Sequence, residues 1–552
     1  MKSSRLICIT LLATVLMLAM LAGCGRGNNG GSDALAGFER TSWNEPFPET
    51  VTATISMFDS PNFNFEDGQD VFDHMWHWRW LELYNIDIEV AWASYEHDLS
   101  LNLAIAAGDL PDMFGANPVQ FAQLMEAGLI EDISGVINST YASPFVMRLL
   151  YDEPEVVDTA RSGSGLYAVP SLHNGFETLA AYFWVRRDLY ELAGRPTINT
   201  LADMEALMAT FVNDLGMEYG IGLHGMSPNI MMSFWDSMPM FHAMATSHAQ
   251  RFWVGDGQGN IVSNYELPET FEAISTWRRW HEEGLVRQDF ATMDRDALTV
   301  DLVTGQVGLE FGPNWRGWQW GPIVENIGPE AKFIALPFPT VDGRPAQIPI
   351  SFPSVTYHVV RRGFEHPEIL PILTSDRTYL MYEAIITGSM TMDEIMPFIS
   401  NHMQFATGPF GLMVSYSQVI MEIVEAVEAH ERGETPVLTS GFAQRHFDQL
   451  LLWLDDGEFV GFGRYSHIGH RESSLYRGWH YAQNGQFLVS EAWGPMPQEV
   501  LDLGAITDSI IEEGIVRIIS GLDPLESWHD VLESWRQAGG NEMTRAINEA
   551  FR

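Results

Sequence analysis

The sequence predicts an α/β protein folded as two lobes, and three observations lead there. Strand-like and helix-like stretches alternate from residue 51 onward, the signature of a largely parallel sheet covered by helices. Strand signals also recur beyond residue 300, so the chain must cross between lobes more than once. Finally, 552 residues that are 46% hydrophobic and 12% aromatic can bury two or more cores.

The elements follow in order. Residues 1–23 read as a secretory signal: Lys2 and Arg5 precede an uncharged apolar run from Leu6 to Leu21. That run is too short and wrongly flanked for a membrane span. Gly25-Arg26-Gly27-Asn28-Asn29-Gly30-Gly31-Ser32 opens a flexible tether to residue 45, with a reach of roughly 25 Å for a Gly-rich coil. Val51, Ala53, Ile55 and Met57 alternate with Thr52, Thr54 and Ser56, as in a half-buried strand. A helix over 71–84 sets Phe72, Trp76, Trp80 and Tyr84 on one face. Next come a strand over 86–91 and a helix over 98–107 that stops at Gly108-Asp109-Leu110-Pro111.

A short strand over 166–169, closed by Pro170, leads to another over 179–186. Thr200 and Asp203 form a capping box for a helix with Leu201, Met204, Leu207, Met208 and Phe211 on one face. The tail is helical: Leu525, Trp528, Leu532 and Trp535 share a face, Gly539-Gly540 break it, and a last helix carries Met543 and Ile547. The expected division is lobe 1 at 46–165 with about 300–350 returning to it, and lobe 2 at 166–299 with about 351–500. C-terminal helices occupy 501–552.

Charge excludes whole classes of function. Thirty Lys and Arg face 73 Asp and Glu, a net charge of −43. Such a surface repels phosphate backbones and anionic lipid heads, and no basic stripe offsets it, so no nucleic-acid partner is expected. Disorder is excluded by 18 Trp, 31 Phe and 16 Tyr. Lys occurs only at Lys2 and Lys332. Genome bias and adaptation to saline or alkaline medium both fit that skew.

Two resemblances add to this reading. Leu21-Ala22-Gly23-Cys24 resembles the bacterial lipobox. This implies that Cys24 carries a diacylglycerol, that Cys8 leaves with the signal, and that the protein faces the extracytoplasmic side on a lipid anchor, without a disulfide. The body is similar to extracellular solute-binding proteins of family 1, the substrate-capturing lipoproteins of ABC importers. The likeness runs from Asn102 to Phe114, with its Gly-Asp-Leu-Pro-Asp turn, through Ala127-Gly128-Leu129-Ile130-Glu131-Asp132 and Gly165-Leu166-Tyr167-Ala168-Val169-Pro170. It continues at Tyr182 to Leu189, Gly194-Arg195-Pro196-Thr197, Glu283-Gly284-Leu285-Val286, Gly305-Gln306-Val307-Gly308 and Leu336-Pro337 before Asp342-Gly343-Arg344. Gly494-Pro495-Met496-Pro497 and Ile518-Ile519-Ser520-Gly521 complete it. The resemblance implies a two-lobed, type II periplasmic-binding-protein-like fold with its ligand cleft between the lobes. It also implies an oligosaccharide ligand, ABC permease subunits as partners, and a monomer. Larger relatives sometimes hold calcium in an Asp-x-Asn-x-Asn-Gly loop. Here Asp256-Gly257-Gln258-Gly259-Asn260 has too few oxygen side chains, so no metal or other cofactor is expected.

A sugar is gripped by flat aromatics on its C–H faces and by charged or amide groups on its hydroxyl rim. Four segments mix such residues outside a regular apolar period. Asn314-Trp315-Arg316-Gly317-Trp318-Gln319-Trp320 leads, with Trp315, Trp318, Arg316 and Asn314 as ligand contacts. Trp235 and Asp236, Asn174 and Glu177 beside the crossing strand, and Trp493 complete the set. Any single Trp is more often core packing than a ligand contact.

Other motifs offer little. His467-Ile468-Gly469-His470 matches a tetrapeptide of class I aminoacyl-tRNA synthetases, but it lies late in an exported acidic chain. His74 and His77 lack further metal ligands and read as paired surface histidines. No phosphate-binding loop, His-Glu-x-x-His or Gly-x-Ser-x-Gly occurs, so no enzyme is expected. A lipid-anchored glycoside hydrolase and a surface carbohydrate-binding adhesin are the alternatives.

Overall fold

The computed structural model describes residues 40–59, 68–172, 175–225, 252–350, 356–384, 419–438, 441–494 and 496–552, with a few isolated positions between them. Cys24, the tether up to residue 39, Asn174, Trp235 and Asp236 lie outside the described residues.

The first lobe is built from β1 (Val51–Phe58), α1 (Met75–Tyr84), β2 (Ile86–Ser94), α2 (His97–Ala107), β3 (Met113–Ala116) and β4 (Val169–Pro170). β1 pairs in parallel with both β2 and β3, as the strand–helix–strand pattern requires. The expected strand at 166–169 divides. Gly165–Leu166 pairs with Arg161–Ser162, and only β4 joins the main sheet.

The second lobe holds β5 (Ala181–Arg186), α3 (Leu201–Asn213), β6 (Leu309–Pro313), β7 (Phe333–Leu336) and β8 (Ile348–Ile350). β6 and β7 flank β5, both antiparallel, in the order β6-β5-β7. β5 is buried on both faces, which explains its unbroken apolar run Ala-Tyr-Phe-Trp-Val. The capping box of α3 forms as expected: Asp203 N donates to Thr200 Oγ1 at 3.2 Å, and Thr200 N donates back to Asp203 Oδ2 at 2.8 Å.

The chain then returns. β9 (Tyr357–Val360) runs antiparallel between β3 and β4, giving the order β2-β1-β3-β9-β4, and α4 (Ile369–Thr378) packs into the same core. This corrects the expected division. Residues 309–336 stay with β5, whereas 357–380 come back to lobe 1. Both segments are equally apolar, and hydrophobicity reports that a strand is buried without saying in which sheet.

Among the described residues four helices follow: α5 (Ile420–Glu431), α6 (Gly441–Leu454), α7 (Phe459–Ile468) and α8 (Ser474–Gln483). α5 and α6 share a smaller core with Tyr382. β10 (Phe487–Val489) pairs in parallel with β8. Finally α9 (Gln498–Ile519), α10 (Trp528–Trp535) and α11 (Asn541–Phe551) pack into the lobe 2 core through Ile511, Ile515, Trp528, Trp535 and Ile547. The C-terminal helices are therefore part of lobe 2. Gly539, at φ 140°, makes the break between α10 and α11 that its sequence position suggested.

Candidate functional site

Strand register locates the junction between the lobes. β9 begins at Tyr357, opposite Ala116 at the C-terminal end of β3, and beside Pro170 at the end of β4. The connection after β4 and the one before β9 therefore meet lobe 1 at the edge where β1, β2 and β3 end. There they are tied together: Ser171 N donates to Thr356 O at 2.8 Å, and Thr356 N donates to Ser171 Oγ at 2.9 Å. In lobe 2, Ala181 at the start of β5 pairs with Pro313 at the end of β6. The residues after β6 thus face the same junction. β10 runs parallel to β8, whose end leads into the returning connection, so Trp493 follows at this edge too. Ligands of α/β sheets bind beyond the carboxyl ends of strands, and this is such an edge.

Asn314–Trp320 forms a 3₁₀ turn directly after β6. With three residues per turn, positions 315 and 318 fall on one face. Trp315 is half-buried and Trp318 is 40% exposed. The Arg464 guanidinium lies 5.1 Å from the Trp318 ring centroid, and the His467 ring stands edge-on at 4.9 Å. Burial beside Arg464 holds His467 well below its ordinary pKa, so the ring is neutral.

The other two residues of this segment turn inward. Asn314 Nδ2 donates to Thr178 O at 2.9 Å, which leaves Oδ1 to accept from His467 Nε2 at 2.7 Å. Ser474 Oγ donates to Asn314 O at 2.9 Å. Arg316 is 1% exposed and pairs with the equally buried Glu310, Nε to Oε1 at 2.8 Å, while Nη1 donates to Thr299 Oγ1. These bonds fix the turn to β6 and α7. The position of Trp315 and Trp318 is set by them.

Glu177 is buried behind the first connection, its carboxylate folded against Gly175. Gly175 has φ 100°, and a Cβ there would collide with that carboxylate. Tyr182 Oη donates to Glu177 O at 2.5 Å. Trp493 is half-buried with its ring 5.8 Å from Phe176, which is itself 36% exposed. Among the expected residues, the structure gathers Asn314, Trp315, Arg316 and Trp318 on one turn, and Glu177 and Trp493 around Phe176.

Lobe 1 supplies an aromatic pair that sequence reasoning missed. Phe58 ends β1 and Tyr95 follows β2, with rings 5.8 Å apart and exposures of 41% and 63%. Their signal was positional: both stand at the carboxyl ends of strands. Asp256 accepts from Gln258 N, Asn260 N and Asn260 Nδ2 at 2.7 to 2.9 Å, which engages its carboxylate within the turn. Among the described residues no group of three or more His, Cys, Asp or Glu is placed to hold a metal, and no helix is long and apolar enough to cross a membrane.

No family model matches the chain. Lipoprotein LipO of Bacillus subtilis (strain 168) is 19% identical over 508 residues, 84% of this chain and 86% of that protein. Among solved structures, the alginate-binding protein AlgQ2 without calcium ion superposes with a TM-score of 0.65 at 13% identity, over 93% of this chain and 100% of that one. The ABC-transporter substrate-binding protein FusA of S. pneumoniae in complex with kestose gives 0.61 at 13% identity, over 91% and 99%. An HMO-binding, ABC-transporter-associated solute-binding protein from Bifidobacterium longum infantis gives 0.60 at 12%, over 91% and 98%. The chain has the two-lobed fold of the ABC-transporter solute-binding proteins.

Proposed function

We propose that the protein is a lipid-anchored receptor on the extracytoplasmic side that captures an oligosaccharide between its lobes and delivers it to an ABC-importer permease. The observation that carries this reading is the junction itself. Exposed or half-buried rings of Phe58, Tyr95, Trp315 and Trp318 stand at strand ends of both lobes, where two hydrogen-bonded connections can serve as a hinge. Flat rings suit the C–H faces of sugars, and closing one lobe on the other would bury the ligand between them. Solved relatives of this fold include proteins named for alginate, kestose and HMO binding, which favours a carbohydrate over other solutes. The likeness to a lipoprotein supports acylation of Cys24. Trp493, Trp235, Asp236 and Asn174 are proposed to join the ligand contacts, with Asn314, Arg316 and Glu177 positioning them. The receptor does no covalent chemistry.

The test is a thermal-shift and calorimetric screen against neutral and acidic oligosaccharides, followed by analysis of the recovered ligand. A native-state ligand raises the melting temperature by mass action. Binding with the saccharide recovered intact is the expected result. Cleavage products would establish the hydrolase instead, and no response to any glycan would overturn the carbohydrate reading.

A further inference from the structure

A second recess lies in lobe 2, between α8 and the turn that follows β7. β8 and β10 finish at the junction, but the residues preceding them, Ala346 and Gln486, line a pocket of about 250 Å³. Its other walls come from α8 and from the turn after β7. None of the junction residues described above takes part in it.

The pocket's chemistry departs from that of the whole protein. The chain carries more than two acidic groups for each basic one, yet no Asp or Glu is among the described residues lining this pocket, whereas Arg344, Arg477 and His480 are. Arg477 Nε donates to Ala335 O at 3.1 Å, which sets the guanidinium plane. Its two Nη atoms have no hydrogen-bond partner among the described residues. Arg344 is held from outside the pocket by Asp342, Nε to Oδ2 at 2.6 Å, and a guanidinium keeps further donors after one such bond. Asn484 Nδ2 donates to His480 O, and Gln486 Nε2 donates to Ala346 O, so these amides are oriented by the backbone. Phe338 and Tyr481 form an apolar wall, with the Phe338 N–H bonded to Tyr481 Oη at 3.3 Å. The oriented Arg477 guanidinium beside a flat wall, with Arg344 at the rim, is an arrangement that recognises planar or tetrahedral oxyanions.

We propose that this pocket binds an oxyanion, a carboxylate or phosphate carried by a molecule no larger than a monosaccharide, at a site that shares no lining residue with the aromatic set at the junction. Arg477 is the principal donor, Arg344 the second, and the Phe338–Tyr481 wall packs against the carrier. The assignment does not depend on what the junction binds.

Isothermal titration with inorganic phosphate, glucuronate and, as the neutral control, glucose tests it on the full protein. Phosphate or glucuronate binds and glucose does not. The tighter of the two identifies the source of the oxyanion. Arg477→Gln weakens that binding at least tenfold and Arg344→Ala at least threefold, while Trp315→Ala leaves it unchanged. Arg344 is a surface side chain, so its variant remains informative if Arg477→Gln fails to fold. Absence of binding by both anions, or binding that neither arginine substitution alters, would overturn the proposal.

Discussion

Two tryptophan-rich stretches of similar composition do different work. Trp76-His77-Trp78-Arg79-Trp80 lies on α1 and is spent mainly on packing, with Trp78 alone exposed and tied by Nε1 to Asp73 Oδ1. Trp76 and Trp80 are buried, and the Asp376 carboxylate of α4 accepts from Arg79 Nε and Nη2, from Trp80 Nε1 and from Tyr84 Oη. The stretch 314–320 is divided. Trp320 stacks on Phe333 at 4.3 Å and Arg316 is buried on Glu310, but Trp315 and Trp318 are left on the outer face. The difference follows from backbone period. An α-helix beside a sheet buries its i, i+4 stripe, whereas a 3₁₀ turn stacks every third residue and can present one row outward. Tryptophan density alone does not distinguish a binding surface from a core.

The largest contrast should come from the carboxylates. Asp376→Ala strands the Arg79 guanidinium and two buried donors, so chemical unfolding should show a loss of roughly 4 kcal/mol. A loss below 1 kcal/mol would mean that α1 is held by apolar contact alone. Glu310→Ala should cost about 3 kcal/mol, and replacing the pair together, Glu310→Leu with Arg316→Met, should restore most of it. Failure of that rescue would show that Arg316 contributes more than the ion pair.

Acid should act on α1 through two histidines, as it should on the 3₁₀ turn through His467. His74 and His77 are buried against each other, ring centroids 4.0 Å apart. They are not the surface pair their spacing suggested. Burial pushes them down to about 3 and about 4. Folded pKa values below the ordinary 6.5 mean that the unfolded chain binds more protons, so stability falls as pH drops from 6.5 toward 4. At pH 5 each residue should cost about 2 kcal/mol relative to pH 7.5. His74→Leu should remove that share, as measured by urea midpoints at the two pH values; an unchanged acid sensitivity would refute the assignment. The smallest stability effect belongs to Trp318→Ala, under about 1 kcal/mol. Its effect should instead appear as a roughly tenfold loss of saccharide affinity, the size expected for one ring stacked on a sugar face.

How much of this was legible beforehand differs between fold and site. β1, β2, α1, α2 and α3 were visible because period and capping are local properties, and the Thr200–Asp203 box sits where its spacing put it. Phe72, expected on the buried face of α1, precedes the helix and is 54% exposed. Which strands share a sheet was not visible, since pairing between residues far apart leaves no periodic trace. The same limit applied to the site. The density at 314–320 drew attention to a turn that the structure sets at the junction, yet only its 3₁₀ geometry and the Glu310 partner separate Arg316 and Asn314 from Trp315 and Trp318. Phe58 and Tyr95 carried no motif at all.

The measurement that tests the account most directly is small-angle scattering of the purified protein, with and without a saturating oligosaccharide from the binding screen. Closure of two lobes about the Ser171–Thr356 connections predicts a smaller radius of gyration with ligand. The folded Trp315→Ala/Trp318→Ala double variant should show no change at the same concentration. A radius that stays constant in the saturated wild-type protein would contradict a closing receptor.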